Sequence, residues 1–469
     1  MTIVNKFKNI PKGMKASIAF FTASLVSKGI SYISTPIYTR LLTSAEYGIV
    51  SVFMTWLDFF SIIALFGLNN GVFNNGMIDY PDKRNEYTLS MLMLSNIITF
   101  VFSVLIIGLY PFYNKWINFE FPFALLMCII FFLKPAYNFW IARQRYEYQY
   151  KSVFISTVIS AVASPVTAII LIKNLDNHIY ARIFGAEIPL LLIYLGFYIY
   201  IGCGNNWKVN TYYWKESLLF NLPLLPHYIS AYLLSSSDKL MISFLAGNTA
   251  TAYYSVSYAI SAVVFMVWNA ANASLIPYTY EKCKKKEYES ISKVTLPVLF
   301  VFSLACFLII MLAPEALIML TTSEYKEAMY VIPPIVGGVF FQAQYDMYAN
   351  ILYYFKRPKY VMFSSIFSCL INIVLNYIFI KKYGYIAAGY TTLFSYLIQA
   401  FFDYLGMKRI VGERVYNVKY IVVLSFIVIV TCLFAGALYQ HIIIRYFIIL
   451  LLLSFVILGK KRIIKSLRW

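Results

Sequence analysis

Apolar runs of about twenty residues recur along the whole chain, separated by short polar breaks. Runs of that length cross ~30 Å of hydrocarbon as single helices. They fall near 15–38, 47–68, 88–111, 121–142, 152–173, 181–203, 218–245, 252–275, 294–319, 330–354, 360–381, 384–406, 419–439 and 441–458. The pattern predicts an all-α polytopic membrane protein of about fourteen transmembrane helices. Close spacing within the last two pairs leaves a twelve-helix alternative open. No period-two alternation with regular turns points to a membrane β-barrel.

Composition agrees: the 469 residues are 61% hydrophobic and 13% charged, where a soluble domain is nearer half apolar and one-quarter charged. The net charge of +19 needs no nucleic acid to explain it. With the N-terminus inside, the inner segments hold 28 of the 39 lysines and arginines, the outer segments 8, Arg182 and Arg445 among them, and Lys28, Lys134 and Lys239 lie within spans. This asymmetry predicts both termini in the cytoplasm and places the positive charge against anionic lipid headgroups. The first span is too long for a signal-peptide core and is read as a retained helix. Five of the six cysteines lie within spans, and the three histidines are scattered. Neither a disulfide framework nor metal-ligand spacing is expected.

No segment outside the spans exceeds about twenty residues, and no GxxxxGK[ST] phosphate loop is present. ATP hydrolysis and large-loop glycosyltransferase or polymerase chemistry are therefore disfavoured, and function is expected between the helices. A charge at membrane depth is costly, so each intramembrane charge implies a wet cavity or a partner. Lys28 leads the candidates, because Ser24, Ser31 and Tyr32 form one polar stripe with it on the first helix. The competing reading is an ion pair with Asp58. Lys134 precedes Pro135, where a helix loses a hydrogen bond. Asp238 and Lys239 are adjacent, so one is expected toward a cavity and the other toward a neighbouring helix. Arg40 and Arg143 stand at helix ends, as phosphate contacts or as interface markers. Asp58, Glu187, Asp238 and Asp346 are candidates for coupling to protons or sodium, with structural ion pairs as the alternative. Asp403 and Glu315 lie near span ends and are set aside. A weak internal repeat relates 37–53 to 240–256, and such repeats often flank a transporter's midplane site.

Several stretches resemble a known family. Thr35-Pro36-Ile37-Tyr38-Thr39-Arg40-Leu41-Leu42 with Tyr47-Gly48 resembles the first hairpin of Wzx-like polysaccharide flippases, members of the multidrug/oligosaccharidyl-lipid/polysaccharide exporter superfamily. Leu65-Phe66-Gly67-Leu68, Ser237-Asp238-Lys239, Phe244-Leu245-Ala246-Gly247 and Ala252-Tyr253-Tyr254-Ser255 continue the likeness. So do Asn372 to Asn376 and Gly384 to Gly389. The resemblance covers about 15–410. It implies two six-helix bundles around a central cavity, at 1–205 and 206–410, with a terminal helix pair and basic tail at 411–469. It implies a bacterial inner-membrane flippase without enzymatic activity. The implied cargo is an undecaprenyl-diphosphate-linked oligosaccharide destined for O-antigen or capsule, moved by alternating access. Lys28, Lys134, Lys239, Arg40 and Arg143 would receive it. Polymerase and chain-length regulator proteins of the same pathway are the implied partners; no cofactor beyond a coupling ion is expected. A drug/cation antiporter of the same superfamily and a membrane polymerase or ligase remain as alternatives.

Overall fold

The computed structural model describes residues 12–69, 71–117 and 119–467. Among these, fourteen long helices coincide with the fourteen predicted spans, and four short helices cap or interrupt them. In chain order they are α1 (Lys12–Leu41), α2 (Ser44–Ala64), α3 (Gly71–Asp79), α4 (Arg84–Gly108), α5 (Tyr110–Ile117) and α6 (Phe121–Tyr146). There follow α7 (Tyr150–Asn174), α8 (His178–Cys203), α9 (Tyr212–Asn221), α10 (Leu225–Ala246), α11 (Asn248–Lys284) and α12 (Tyr288–Met311). The last are α13 (Ala313–Leu320), α14 (Ile332–Tyr354), α15 (Pro358–Tyr383), α16 (Ile386–Val411), α17 (Val418–Leu438) and α18 (Ile442–Leu467). Among the described residues, nine helices are long and apolar enough to cross a membrane, and α9 with α10 makes a tenth, broken span. The chain is a multi-pass membrane protein. Lys6, Lys8 and the side chains of the basic tail from Lys460 to Arg468 lie outside the described residues.

The chain divides into two compact units, Met1–Ile229 and Ser230–Trp469. In the first, α1 packs on α7, α7 on α8, α8 on α6 and α6 on α4. Thr43 opens α2 with a capping box: its hydroxyl accepts from the Glu46 N–H, and the Glu46 carboxylate accepts from the Thr43 N–H at 2.8 Å. Beyond α2 the chain turns through left-handed backbone at Phe66 and Gly67 (φ +62°), and a Cβ on Gly67 would lie 2.8 Å from the Tyr228 ring. On α3, a Cβ at Gly76 would fall 2.1 Å from Tyr87. Glycine there admits the tyrosine, whose hydroxyl donates to the Val72 carbonyl at 3.1 Å.

In the second unit α14 is central, packing on α11, α12, α16 and α17, while α15 packs on α16. Gly337 and Gly338 of α14 face Leu393 and Tyr396 of α16, the close approach that small residues allow between membrane helices. The terminal helices α17 and α18 dock on this unit. Gln344 Nε2 donates to Ser425 Oγ at 2.8 Å, and the Tyr439 hydroxyl donates to the Ile310 carbonyl at 2.8 Å. Arg445, which loop counting assigned to the outer surface, is 2% exposed and pairs with Glu315 of α13, a residue set aside on its sequence position. Removing one partner of a buried pair strands the other charge, at about 3–5 kcal/mol. Glu315→Gln is expected to lower the melting temperature of the purified protein clearly more than Arg445→Met, because it strands the buried Arg445 (2% exposed), whereas the stranded Glu315 keeps solvent contact (31% exposed). Thermal unfolding in detergent checks this; equal melting temperatures for Glu315→Gln and wild type would show the pair to be idle.

Candidate functional sites in the two units

The first unit gathers charge around Glu187 of α8. This carboxylate is 7% exposed. Lys134 of α6, Arg182 of α8 and Asp58 of α2 all act on it electrostatically. The Arg182 guanidinium lies 4.0 Å from the centre of the buried Tyr38 ring of α1, a cation–π arrangement. Four helices thus contribute charge or aromatic face to one region, and three of the sequence candidates, Asp58, Lys134 and Glu187, meet there. Loop counting puts Arg182 in an outer segment; the structure sets it against Tyr38 and Glu187.

Lys28 is exposed in the first unit, as are Ser24 and Ser31 on the same face of α1. Asp58 is exposed too, and no ion pair joins it to Lys28 among the described residues. Arg40 is exposed and donates to the Pro36 carbonyl at 2.8 Å, which satisfies a carbonyl near the end of α1. Arg143 pairs with Glu147 one turn on, at 2.5 Å. Both arginines therefore make local helix-end contacts.

The second unit holds a different kind of site. Asp238 of α10 is 1% exposed. Its Oδ2 accepts from the Tyr254 hydroxyl of α11 at 2.5 Å and from Thr392 Oγ1 of α16 at 2.6 Å. Its Oδ1 accepts from Asn376 Nδ2 of α15 at 2.6 Å. A second tier supports these donors. Asn372 Nδ2 donates to Thr392 Oγ1 at 3.0 Å, Asn376 Nδ2 also reaches Asn372 Oδ1 at 3.0 Å, and Thr391 donates to Asn376 Oδ1. Every donor named here is neutral. Lys239, half-buried, stands 4.9 Å over the Tyr258 ring of α11. Both side chains reach α11, one turn apart. Asp346 of α14 is half-buried and accepts from Trp268 Nε1 at 2.8 Å.

Sequence reading found the carboxylate of this site and missed its partners. Asn372 and Asn376 were noted as a pattern, without a chemical role. Their spacing of four, inside an apolar helix, was the available signal: both amides fall on one face. The oxygen-rich set of one carboxylate, two amides and two threonine hydroxyls suits a proton or a hard monovalent cation. No cluster of three or more histidine, cysteine or carboxylate side chains occurs among the described residues. A separate cavity of about 650 Å³ in the second unit is lined by Glu289, Lys293, Arg414 and Tyr420 among others. None of the sequence candidates borders it.

The model of the polysaccharide biosynthesis protein family matches residues 14–283. The chain belongs to that family. The MatE family model matches residues 223–378, a span that contains Asp238, Asn372 and Asn376. A protein of Haloferax volcanii described as a probable low-salt glycan biosynthesis flippase, Agl15, is 21% identical over 82% of this chain and 81% of its own length. Among solved structures, the lipid II flippase MurJ in an inward closed conformation superposes with a TM-score of 0.69 at 14% identity, over 95% of this chain and 99% of that one. An inward-facing multidrug resistance MATE transporter superposes with a TM-score of 0.66 at 13% identity, over 84% of this chain and 94% of that one. The fold is thus shared with a lipid II flippase and with a multidrug resistance transporter alike.

Proposed function

We propose that the protein flips a lipid-linked oligosaccharide from the inner to the outer leaflet, driven by an ion that binds at Asp238. The cargo's diphosphate and sugars cannot enter hydrocarbon without losing their hydrogen bonds. A wet path with fixed positive charge lowers that cost. Lys28, on the exposed polar face of α1, supplies such charge, and Lys134 and Arg182 supply it beside Glu187. The observation that carries the coupling half of the reading is the set of neutral donors around Asp238. Such a carboxylate keeps its negative charge available for a cation. Family membership and the glycan flippase among its relatives support the cargo class. An undecaprenyl-diphosphate carrier and an O-antigen or capsule repeat unit are the finer form of the proposal, with both termini in the cytoplasm.

The MatE match over 223–378 favours one rival, a drug/cation antiporter. A strain lacking the gene separates the two. Single lipid-linked repeats held on the inner leaflet, with surface glycan lost, support the flippase. An unchanged glycan pool with altered drug sensitivity supports the antiporter. Repeats that reach the outer leaflet unpolymerised would point to a polymerase instead.

A further inference from the structure

The polar stripe around Asp238 does not stop at Asn372. Toward the start of α15 it continues through Ser368, Ser365 and Ser364. On the facing helix α16 it continues from Thr392 through Ser395 and Gln399 to Asp403. Successive members stand three or four residues apart, the spacing of one helix face, except the adjacent Ser364 and Ser365, which both bond to α16. Side-chain bonds cross the interface at intervals: Asn372 to Thr392 at 3.0 Å, Gln399 Nε2 to Ser365 Oγ at 3.0 Å, and Ser364 Oγ to Asp403 Oδ1 at 2.7 Å. The six added residues are each at most 3% exposed. A seam of polar groups therefore runs between two membrane helices, with a buried carboxylate at each end. Along α16 the carboxylate of Asp403 and the Thr392 contact of Asp238 are eleven residues apart, about 16 Å of helix.

Three groups in the seam are left over. Ser368 Oγ, Gln399 Oε1 and Asp403 Oδ2 are buried and have no hydrogen-bond partner among the described residues. Native interiors leave few such groups, and each calls for an explanation. Water is their ordinary partner in a polar interior. Ser368 stands one turn from Asn372, and Gln399 stands one turn from Asp403, so the leftover groups span the interval between the two carboxylates. Lys356 and Arg357 precede α15, and Lys408 and Arg409 follow Asp403 on α16. The Asp403 end is thus the basic-loop end, and Ser364 lies six residues into α15, about 9 Å from its start.

We infer that the α15–α16 seam holds water and passes protons between Asp238 and the basic-loop side of the membrane by way of Asp403. This rests on the reading of Asp238 as the coupling site, and it names the coupling ion as a proton. The proton leaves the Asp238 carboxyl, moves through water held by Thr392, Ser368 and Gln399, and binds the Asp403 carboxylate. Asp403 returns it to the aqueous side, and Asp238 is left ionised for the next cycle. The groups facing Asp238 are Tyr254 and Tyr258 of α11, Tyr396 of α16 and Cys369 of α15, with Lys239 beside it. Those facing Asp403 are Ser364 of α15 and, from α14, Asp346, Tyr345 and Tyr353. Tyr396 feels both Asp238 and Asp346, so the two ends of the seam share one electrostatic neighbourhood.

The test is infrared hydrogen–deuterium exchange of the carboxyl bands, on the full chain in lipid nanodiscs at acid pH. Subtraction of Asp238→Asn and Asp403→Asn spectra assigns each band. Gln399→Leu is expected to slow exchange at Asp238 by roughly tenfold, since the path then loses a hydrogen-bonding group, and to leave exchange at Asp403 at its wild-type rate. Ser368→Val is expected to do the same, and provides the second route should Gln399→Leu fail to fold. A lowered melting temperature with an unchanged Asp238 rate in these variants would make the seam mere packing and overturn the inference. That result beside an inactive Asp238→Asn defeats the seam alone. Undiminished transport by Asp238→Asn defeats the coupling reading beneath it.

Discussion

Asp238→Asn is expected to fold and reach the membrane, yet to lose transport by about 100-fold, the upper range of a coupling free energy between two sites. Asparagine has nearly the same shape. Its oxygen still accepts one of the present bonds, and the Tyr254 and Thr392 hydroxyls can rotate to accept from its amide. What disappears is the charge that binds the ion. Asp238→Leu is a different experiment: it orphans the donors of Tyr254, Thr392 and Asn376, at about 1–3 kcal/mol for each buried group left unpaired, and is expected to reduce the amount of protein. Surface glycan measured beside membrane protein level separates the two effects. Full transport by Asp238→Asn would remove the carboxylate from the mechanism.

Lys28→Ala is expected to reduce transport by roughly 10- to 100-fold, the worth of one or two hydrogen bonds to a charged group. Protein level should hold, because Lys28 is exposed and makes no ion pair among the described residues. Lys28→Arg keeps the charge in a different shape and should retain much of the activity. Lys28→Gln should behave like Lys28→Ala, which distinguishes charge from polarity. Wild-type glycan in the alanine variant would leave the anion-binding role to Lys134 and Arg182.

The helices were legible because the signal is local: an apolar run of about twenty residues is long enough to span as one helix, and all fourteen runs became helices. The candidate sites were half legible. A charge inside a span is visible in one sequence, so Asp238, Glu187 and Lys134 stood out. Their partners are not visible, since Asn376 and Thr392 reach Asp238 from residues more than 130 positions away. Asp403 was set aside because it lies near a span end. Burial follows from which helix face packs, and α16 turns that face into α14 and α15. Arg445 misled for the same reason: charge counting treats an arginine near a helix end as wet, but docking of α18 buries it against Glu315. Arg40 and Arg143 show the converse. They were read as phosphate contacts or interface markers, and their bonds are local ones at helix ends.

Flipping by the purified protein is the measurement that bears most directly on this account. Proteoliposomes would carry a lipid-diphosphate oligosaccharide with a fluorescent sugar-linked tag in both leaflets, and an impermeant reductant would be added outside. Protein-free vesicles lose only the signal of the outer leaflet. The account predicts that vesicles with the wild-type chain lose nearly all of it, and that Asp238→Asn vesicles behave like protein-free ones. Protection of the inner-leaflet signal by the wild-type protein, under an imposed proton gradient of either direction, would contradict the central claim.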